Sequence, residues 1–220
     1  MNKNFVKAFN SVELIVVLVV IGLLMSVFIK SSNIKKNAFN NFVIKETNVL
    51  LTSVMSFRVK YGGLPGDIVD GSHLFGANCG TEAQCNGNGD GYIALSSSDV
   101  DEIISSVIHL SLSGMLNSTY TRTNYAYPYK KKGVGFIKYV KTSDGYQVND
   151  NAIVIQKDIS DYDFIEPFRA LQIDNKFDDG DPDTGYVTYF SGLGSNCVSA
   201  GEYLKADDVK TCSLVFSIPN

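Results

Sequence analysis

The chain has 220 residues and a mass of 24.0 kDa, which suits one domain or one domain with an appendage. Apolar residues make up 45% and charged residues 19%, so the composition excludes wholesale disorder and a collagen-like chain. A net charge of −4 and an isoelectric point near 5.2 exclude a strongly basic nucleic-acid-binding protein.

The first predicted element is an apolar segment near the start of the chain. Between Leu14 and Ile29, 14 of the 16 residues are apolar, and Lys3 and Lys7 precede them. A basic leader before an apolar stretch is typical of an exported protein. The 21 residues from Phe9 to Ile29 match the length of a membrane-spanning helix. A cleaved signal peptide and a simple N-terminal anchor are the two plain interpretations.

Glu13 fits neither plain interpretation, because it lies at the edge of this apolar segment. A carboxylate in an apolar membrane segment costs about 2.5–3.5 kcal/mol and is a functional hypothesis by default. A buried carboxylate requires a buried cation as its partner. The sequence therefore predicts a specific role for Glu13.

The residues around Glu13 resemble the class III signal of type IV pilins and type II secretion pseudopilins. The resemblance is carried by Ala8, Phe9, Asn10, Ser11, Val12, Glu13, Leu14 and Ile15. In that family a prepilin peptidase cleaves before the Phe and methylates the new N-terminus. The resemblance implies cleavage between Ala8 and Phe9. It also implies that Glu13 pairs, during assembly, with the free amine of Phe9 in a neighbouring subunit.

A helix is predicted to continue beyond the apolar segment. Residues 30–61 contain neither Pro nor Gly, and apolar residues recur at spacings of three and four, as at Leu50, Val54 and Phe57. Gly62 and Gly63 end the pattern. We expect a leader at 1–8, a long N-terminal helix at 9–61 that spans the membrane to about residue 30, and a globular periplasmic or extracellular head at 62–220. The alternative is two helices with a break near residues 31–33.

The head is predicted to be α+β with an antiparallel sheet, because its helices and strands do not follow a βαβ rhythm. The long helix, membrane-spanning in its first half and amphipathic in its second, is expected to pack on this head. The predicted helices are Ser98 to Met115 and Pro167 to Asn175. The predicted strands are Val134 to Val140, Ala152 to Gln156, Tyr186 to Phe190 and Leu214 to Ile218.

The four cysteines form two local pairs in the sequence. Cys79 and Cys85 enclose five residues, and Cys197 and Cys212 enclose fourteen. An even number of cysteines in an exported head predicts disulfides, of which three pairings are possible and the local one is the simplest. A metal site is the alternative, although the chain has no C-x-x-C motif and only two histidines.

Several motifs of the head extend the resemblance to a group of bacterial prepilin-type proteins. They are the Leu-Pro-Gly-Asp turn at 64–67, the Gly-Asn-Gly-Asp-Gly loop at 87–91, the helix at 109–116 and the acidic loop at 173–185. Together they cover most of the chain in patches. The resemblance implies a minor pilin or pseudopilin.

Two loops are candidate calcium sites. Asn86, Asn88 and Asp90 alternate before a Gly, as in the first half of an EF-hand loop. The second loop is richer in carboxylates, which repel one another unless they are solvated or bridged by a cation. Its candidate ligands are Asp174, Asp178, Asp179, Asp181 and Asp183. Tight turns that favour Asn and Asp are the alternative explanation for both loops.

Other functional sites find little support in the sequence. His73 and His109 lack metal-ligand spacing, Glu102 is expected on a solvated face, and no nucleophile motif or phosphate-binding loop is present. Lys130, Lys131 and Lys132 lie among aromatic residues, as in a single-stranded DNA platform, but a hairpin with a charged turn explains them better. We therefore expect no enzyme activity and no nucleic-acid partner.

The sequence is thus predicted to encode a prepilin-like structural subunit, cleaved and N-methylated, that assembles into a type IV pilus or a type II secretion-like filament. The predicted partners are prepilin peptidase, other pilin or pseudopilin subunits, an inner-membrane assembly platform and membrane lipid. The predicted location is the bacterial inner membrane, single-pass, with the head in the periplasm or in an extracellular filament. The alternative is a membrane-tethered periplasmic binding module, calcium-loaded or not, that does not polymerise.

Overall fold

The computed structural model describes residues 10–94, 102–123, 126–128, 133–158, 161–190, 196–205, 209 and 211–219, with the backbone alone at 27–34. The chain divides into two compact units, Met1–Phe42 and Val43–Asn220. The first helix, α1, runs from Ser11 to Tyr61. It ends at Gly62, whose φ of +77° is left-handed and whose N–H donates to the carbonyl of Arg58 at 2.9 Å.

The predicted membrane-spanning half of α1 is not found. Within the residues described, none of the helices combines the length and the hydropathy that a bilayer crossing requires. The fold-class prediction is therefore wrong in its membrane-spanning half. The predicted single-pass location in a bacterial inner membrane is wrong for the same reason.

The second unit contains the last part of α1 and the α+β head. Leu50, Val54 and Phe57 of α1 are fully buried, as their helical spacing predicts. Polar contacts hold this part of α1 as well, since the hydroxyl of Tyr127 donates to the carboxylate of Glu46 at 2.7 Å. The amphipathic stripe thus forms part of the core of the head.

The other helices of the head are short. They are α2 (Gly71–Phe75), α3 (Glu82–Cys85), α4 (Glu102–Leu112) and α5 (Pro167–Phe177), with single 3₁₀ turns at Gly76–Cys79 and Thr142–Asp144. Pro167 occupies the first turn of α5, where its missing N–H and fixed φ cost nothing. The predicted helix at Ser98 to Met115 corresponds to α4, although residues 95–101 lie outside the described part of the chain.

The sheet of the head is antiparallel throughout. Its strands are β1 (Tyr127–Pro128), β2 (Val134–Val140), β3 (Asp150–Gln156), β4 (Val187–Tyr189) and β7 (Leu214–Ser217), in the order β1-β2-β3-β7-β4. Two further strands, β5 (Val198–Ser199) and β6 (Glu202–Tyr203), form a separate small pair. The α+β class with an antiparallel sheet therefore agrees with the prediction, and the four predicted strands correspond to β2, β3, β4 and β7.

The core lies on both faces of the central strand β3. Ile153 pairs with Ile137 of β2 and with Phe216 of β7, and all three side chains are buried. Side chains alternate between faces along a strand, so Ala152 and Val154 contribute to the opposite face. There they join a cluster with Val140, Tyr146, Phe190 and Val215. Burial on both faces explains why β3 is apolar without alternation.

Candidate functional site

Glu13 lies in the first turn of α1, and its side chain is exposed. Its Oε2 accepts a hydrogen bond from the backbone N–H of Asn10 at 3.4 Å, and Asn10 Oδ1 accepts one from the N–H of Val12 at 3.5 Å. This reciprocal pattern resembles a capping box in which both donor–acceptor distances are long. Glu13 therefore supports the start of α1 within a single chain, which the sequence analysis did not foresee. Ala8 and Phe9 lie outside the described residues, so the cleavage site stays a prediction.

The first part of α1 exposes a continuous apolar surface. Twelve large apolar side chains have exposed fractions between 46% and 64%. They are Val12, Leu14, Ile15, Val16, Val17, Leu18, Val19, Val20, Ile21, Leu23, Leu24 and Met25. Soluble monomers rarely expose contiguous apolar patches of this kind, and such patches mark interaction sites. This surface is therefore a candidate site of association.

Both disulfides join the local pairs. The Cα atoms of Cys79 and Cys85 are 5.5 Å apart, and those of Cys197 and Cys212 are 5.0 Å apart. These separations lie within the usual range for a disulfide. All four side chains are buried. One pair precedes the sheet in the sequence and the other lies between β4 and β7, and both exclude the alternative metal site because a disulfide sulfur is no thiolate.

The longer of the two disulfide loops should contribute measurably to stability. Its partners are 15 residues apart in the sequence. Closing such a loop in the unfolded chain is worth about 3 kcal/mol, against about 2 kcal/mol for the shorter loop. We expect the free energy of unfolding of the double variant C197A/C212A to be about 3 kcal/mol lower than that of wild type. The variant should therefore unfold at a lower urea concentration. An unchanged midpoint relative to the oxidised wild type would contradict this.

The Gly-rich loop after α3 wraps around the carboxylate of Asp67, which is 5% exposed. Asp67 Oδ1 accepts from the N–H groups of Gly89 at 2.8 Å and Asp90 at 3.1 Å, and Oδ2 accepts from Gly91 at 3.0 Å. Successive N–H groups that converge on one anion form a nest. Burial raises the pKa of Asp67, while these three hydrogen bonds act to lower it. The Leu-Pro-Gly-Asp turn and the Gly-rich loop are thus one structural device.

Two glycines allow this close approach. A Cβ on Gly87 would lie 2.4 Å from the Cα of Asp67, and a Cβ on Gly66 would lie 2.3 Å from the carbonyl oxygen of Glu102. Contacts under 3.0 Å to backbone atoms cannot be relieved by a side-chain movement. Position 87 therefore requires glycine because the loop contacts the backbone of the 64–67 turn, and position 66 requires it because that turn contacts the backbone of α4.

Glu102 holds the same loop from the other side, and its predicted place on a solvated face is wrong. It is 1% exposed, with Oε1 accepting from Asn88 N–H at 3.1 Å and Oε2 from Ala94 N–H at 2.9 Å. Burial raises its pKa, although the two hydrogen bonds oppose that effect. Sequence reasoning missed Asp67 and Glu102 as partners of the loop. For Asp67, the available signal was its place at the end of the 64–67 turn. No pattern in the sequence pointed to Glu102.

His109 of α4 is a buried structural residue. Its Nδ1 accepts from the backbone N–H of Gly66 at 2.9 Å, and its ring stacks against Phe57 with centroids 6.1 Å apart. Burial lowers its pKa to about 4, so the imidazole is neutral at pH 7. The ring thus joins α1, the turn and α4 without a charge.

The side chains of the first predicted set of calcium ligands hydrogen-bond to one another and to backbone N–H groups. Asn86 Oδ1 accepts from the N–H of Ser72 at 2.7 Å, and Asn88 Nδ2 donates to Asp90 Oδ2 at 3.1 Å. Asp90 Oδ1 accepts from Tyr92 N–H at 2.8 Å. Short side chains that accept from backbone N–H groups two residues on are Asx turns. The turn explanation accounts for the contact of Asp90, and calcium at this loop stays a prediction.

The second predicted set centres on Asp174, which is fully buried in α5. Its Oδ2 accepts from the hydroxyl of Tyr203 at 2.8 Å, and its Oδ1 accepts from Gly180 N–H at 3.0 Å. One carboxylate oxygen of each of Asp174, Asp178 and Asp179 lies within 4.8 Å of the others. Hard oxygen donors of this kind suit Ca²⁺. The structure thus brings three of the five predicted residues together.

The remaining contacts of this loop are also hydrogen bonds to its own backbone. Asp178 accepts from the N–H groups of Tyr186 and Val187, and Asp179 accepts from Asp181 N–H at 2.9 Å. Asp181 accepts in turn from Asp183 N–H at 3.0 Å. The carboxylate of Asp181 therefore caps a turn, in which Asp183 takes part through its backbone N–H, and neither residue belongs to the three-carboxylate group. Calcium at Asp174, Asp178 and Asp179 stays a prediction, to which the exposed pair adds no ligand.

Asp174 should make the stability of the head depend on pH. Burial raises its pKa to about 6, helped by the charges of Asp179 and Asp178 and opposed by the hydrogen bonds from Tyr203 and Gly180. A carboxyl with a raised folded-state pKa stabilises the fold at low pH, and that stability is lost as pH rises through its folded pKa. Between pH 4 and pH 7, the free energy of unfolding of wild type should therefore fall by about 2 kcal/mol relative to that of Asp174→Asn. Urea unfolding at the two pH values measures this difference. Parallel pH profiles for the two proteins would contradict the assignment.

The basic and aromatic segment forms a hairpin, as predicted. Tyr127 of β1 pairs with Gly135 of β2, and Pro128 pairs with Val134. Lys130, Lys131 and Lys132, between the two strands in the sequence, lie outside the described residues. The predicted absence of a nucleic-acid partner and of enzyme activity stays a prediction.

In comparisons with protein-family models, curated proteins and solved structures, nothing matched the chain significantly. The function is therefore argued from the residues of the chain and their arrangement.

Proposed function

We propose that this chain is a prepilin-like structural subunit, a minor pilin or pseudopilin. It is cut between Ala8 and Phe9 and N-methylated by prepilin peptidase, and it assembles into a type IV pilus or a type II secretion-like filament. Its partners are other subunits of the same kind and an assembly platform. The resemblance of residues 8–15 and of the head motifs to prepilin-type proteins motivates this function.

The observation that carries the proposal is the exposed apolar surface of α1. Twelve large apolar side chains between Val12 and Met25 are about half exposed. Burying them against copies of the same helix removes that surface from water, at roughly 25 cal/mol per Å². A filament of identical subunits supplies such copies without end, because a head-to-tail contact need not close into a ring.

The arrangement of Glu13 also supports assembly. An exposed carboxylate stands at the start of the apolar surface, next to the position that cleavage would convert into an amine. When neighbouring helices cover the apolar surface, the carboxylate loses water and requires a cation within hydrogen-bonding distance. The amine of Phe9 in the next subunit is that cation. Glu13 thus fixes the register of each incoming subunit.

The experiment compares two charge insertions of matched type and exposure. Val19 on the apolar surface is 57% exposed, and Val209 on the head is 59% exposed. The full chain is co-expressed with prepilin peptidase and the assembly components, and filaments are counted by electron microscopy. We expect Val19→Glu to abolish filaments and Val209→Glu to leave them. Filaments of normal number with Val19→Glu, or a processed wild type that stays monomeric, would overturn the proposal.

A further inference from the structure

A cleft of about 680 Å³ opens in the head beside the end of α1. The Leu-Pro-Gly-Asp turn, the Gly-rich loop, the end of β2 and the start of β3 form its walls. Its volume lies within the range of small-molecule sites in proteins. All of its walls belong to the unit Val43–Asn220. The filament function proposed above makes no use of this cleft.

Three tyrosines line the cleft, and Tyr92 is the most exposed of them. Tyr61, Tyr92 and Tyr139 line it, and the rings of Tyr92 and Tyr139 lie 4.4 Å apart between centroids, with 49° between their planes. Tyr92 is 47% exposed. An aromatic ring at a wet surface offers an apolar face and a hydroxyl together. A ligand that fits such rings has both C–H faces and polar groups.

The polar groups of the cleft have free hydrogen-bonding capacity. Among the described residues, none hydrogen-bonds to the hydroxyls of Tyr61, Tyr92 and Tyr139. Asp150 accepts from Asn151 N–H through Oδ1, and no described residue donates to its Oδ2. Asn149 uses its Oδ1 to accept from Thr142, which leaves its NH₂ group as a donor. The cleft thus offers hydroxyls, an amide donor and a carboxylate acceptor to a ligand.

The cleft is lined by charges of both signs, with carboxylates in excess. The cleft is lined by two acidic residues, Asp90 and Asp150, and by the basic residue Arg58. Nη1 of Arg58 donates to the carbonyl of Pro219 at 3.3 Å. Asp67 also borders it, but its carboxylate is occupied by three backbone N–H groups. An anion would meet two carboxylates and a cation would meet a guanidinium. A neutral molecule rich in hydroxyl groups meets neither penalty.

We propose that this cleft binds a neutral saccharide. The sugar ring packs its C–H face against Tyr92, and its hydroxyls hydrogen-bond to Asp150 and Asn149. Tyr61 and Tyr139 supply further hydroxyls at the walls. The site is formed within one chain, so binding requires neither cleavage at Ala8 nor assembly.

Titration of the full chain with three neutral oligosaccharides tests this site. The probes are chitotriose, maltotriose and N-acetyllactosamine, followed by saturation-transfer NMR and calorimetry. We expect at least one probe to bind with a Kd of about 1 mM or tighter. Tyr92→Ala and Asp150→Asn should each weaken that binding about tenfold. Tyr186→Ala is the matched control, because Tyr186 is 54% exposed and lies outside the cleft.

Three results would overturn the proposal. The first is no binding of any of the three probes at 10-fold the expected Kd. The second is binding that Tyr92→Ala and Asp150→Asn both leave unchanged, which would place the ligand elsewhere. The third is tighter binding of choline or glucuronate than of every neutral probe. Thermal unfolding of each variant shows whether it is folded, and Asp150→Asn alone carries the test if Tyr92→Ala is not folded.

Discussion

Replacing Glu13 by glutamine is expected to reduce incorporation into filaments by about 100-fold or more. Removing one partner of a buried ion pair costs 3–5 kcal/mol, and each 1.4 kcal/mol is about tenfold in an equilibrium constant. Glutamine keeps the length of the side chain and its ability to accept from Asn10 N–H, so it preserves the capping contact of α1. The variant therefore removes only the charge, and Glu13→Ala removes both the charge and the capping contact.

The measurement is the fraction of processed subunit found in sheared filaments, by immunoblot against the total. Ser11→Ala is the control in the same helical turn, with an expected incorporation equal to that of wild type. Normal incorporation of Glu13→Gln together with loss for Glu13→Ala would assign Glu13 to helix capping alone. That outcome would contradict its pairing with the amine of Phe9.

Replacing Asp67 by asparagine should destabilise the head by about 3 kcal/mol or more. Its two oxygens accept three backbone N–H groups in a buried site. Hydrogen bonds to a charged group are worth about 1.5–3 kcal/mol, and a buried donor left without an acceptor costs a further 1–3 kcal/mol. In the asparagine variant one acceptor becomes an NH₂ group, which faces an N–H of the loop.

Urea unfolding of the full chain at pH 7 measures this loss. Asp70→Asn is the matched control, because Asp70 is exposed and its side chain makes no capping hydrogen bond to α2. Its effect should stay within about 0.5 kcal/mol. If Asp67→Asn and Asp70→Asn unfold at the same urea concentration, the loop does not depend on the Asp67 carboxylate.

Local sequence patterns predicted the regular elements of the head well. The strand at Val134–Val140 has the predicted ends, because β-branched and aromatic residues there favour an extended chain. The two-residue strands at Val198–Ser199 and Glu202–Tyr203 were missed, since two residues carry no periodicity. Elements of ordinary length thus follow from the sequence, and very short ones depend on their neighbours.

The site residues were harder to predict because their contacts connect distant parts of the chain. Asp67 meets the Gly-rich loop 22–24 residues later, and Glu102 reaches back 14 residues to Asn88. No local pattern distinguishes Glu102 from a solvated carboxylate, and the one local signal for Asp67 was its place at the end of the 64–67 turn. At the start of the chain, by contrast, the local pattern was clear and the prediction drawn from it was wrong. There the apolar run predicted a membrane crossing that the described helix does not support.

The mature N-terminus tests the central claim most directly. Intact-mass measurement and N-terminal sequencing are made on protein purified from cells that express prepilin peptidase. The account predicts a chain that starts at an N-methylated Phe9, with the leader of residues 1–8 removed. A chain that starts at Met1, or one cut near Ser31, would contradict it.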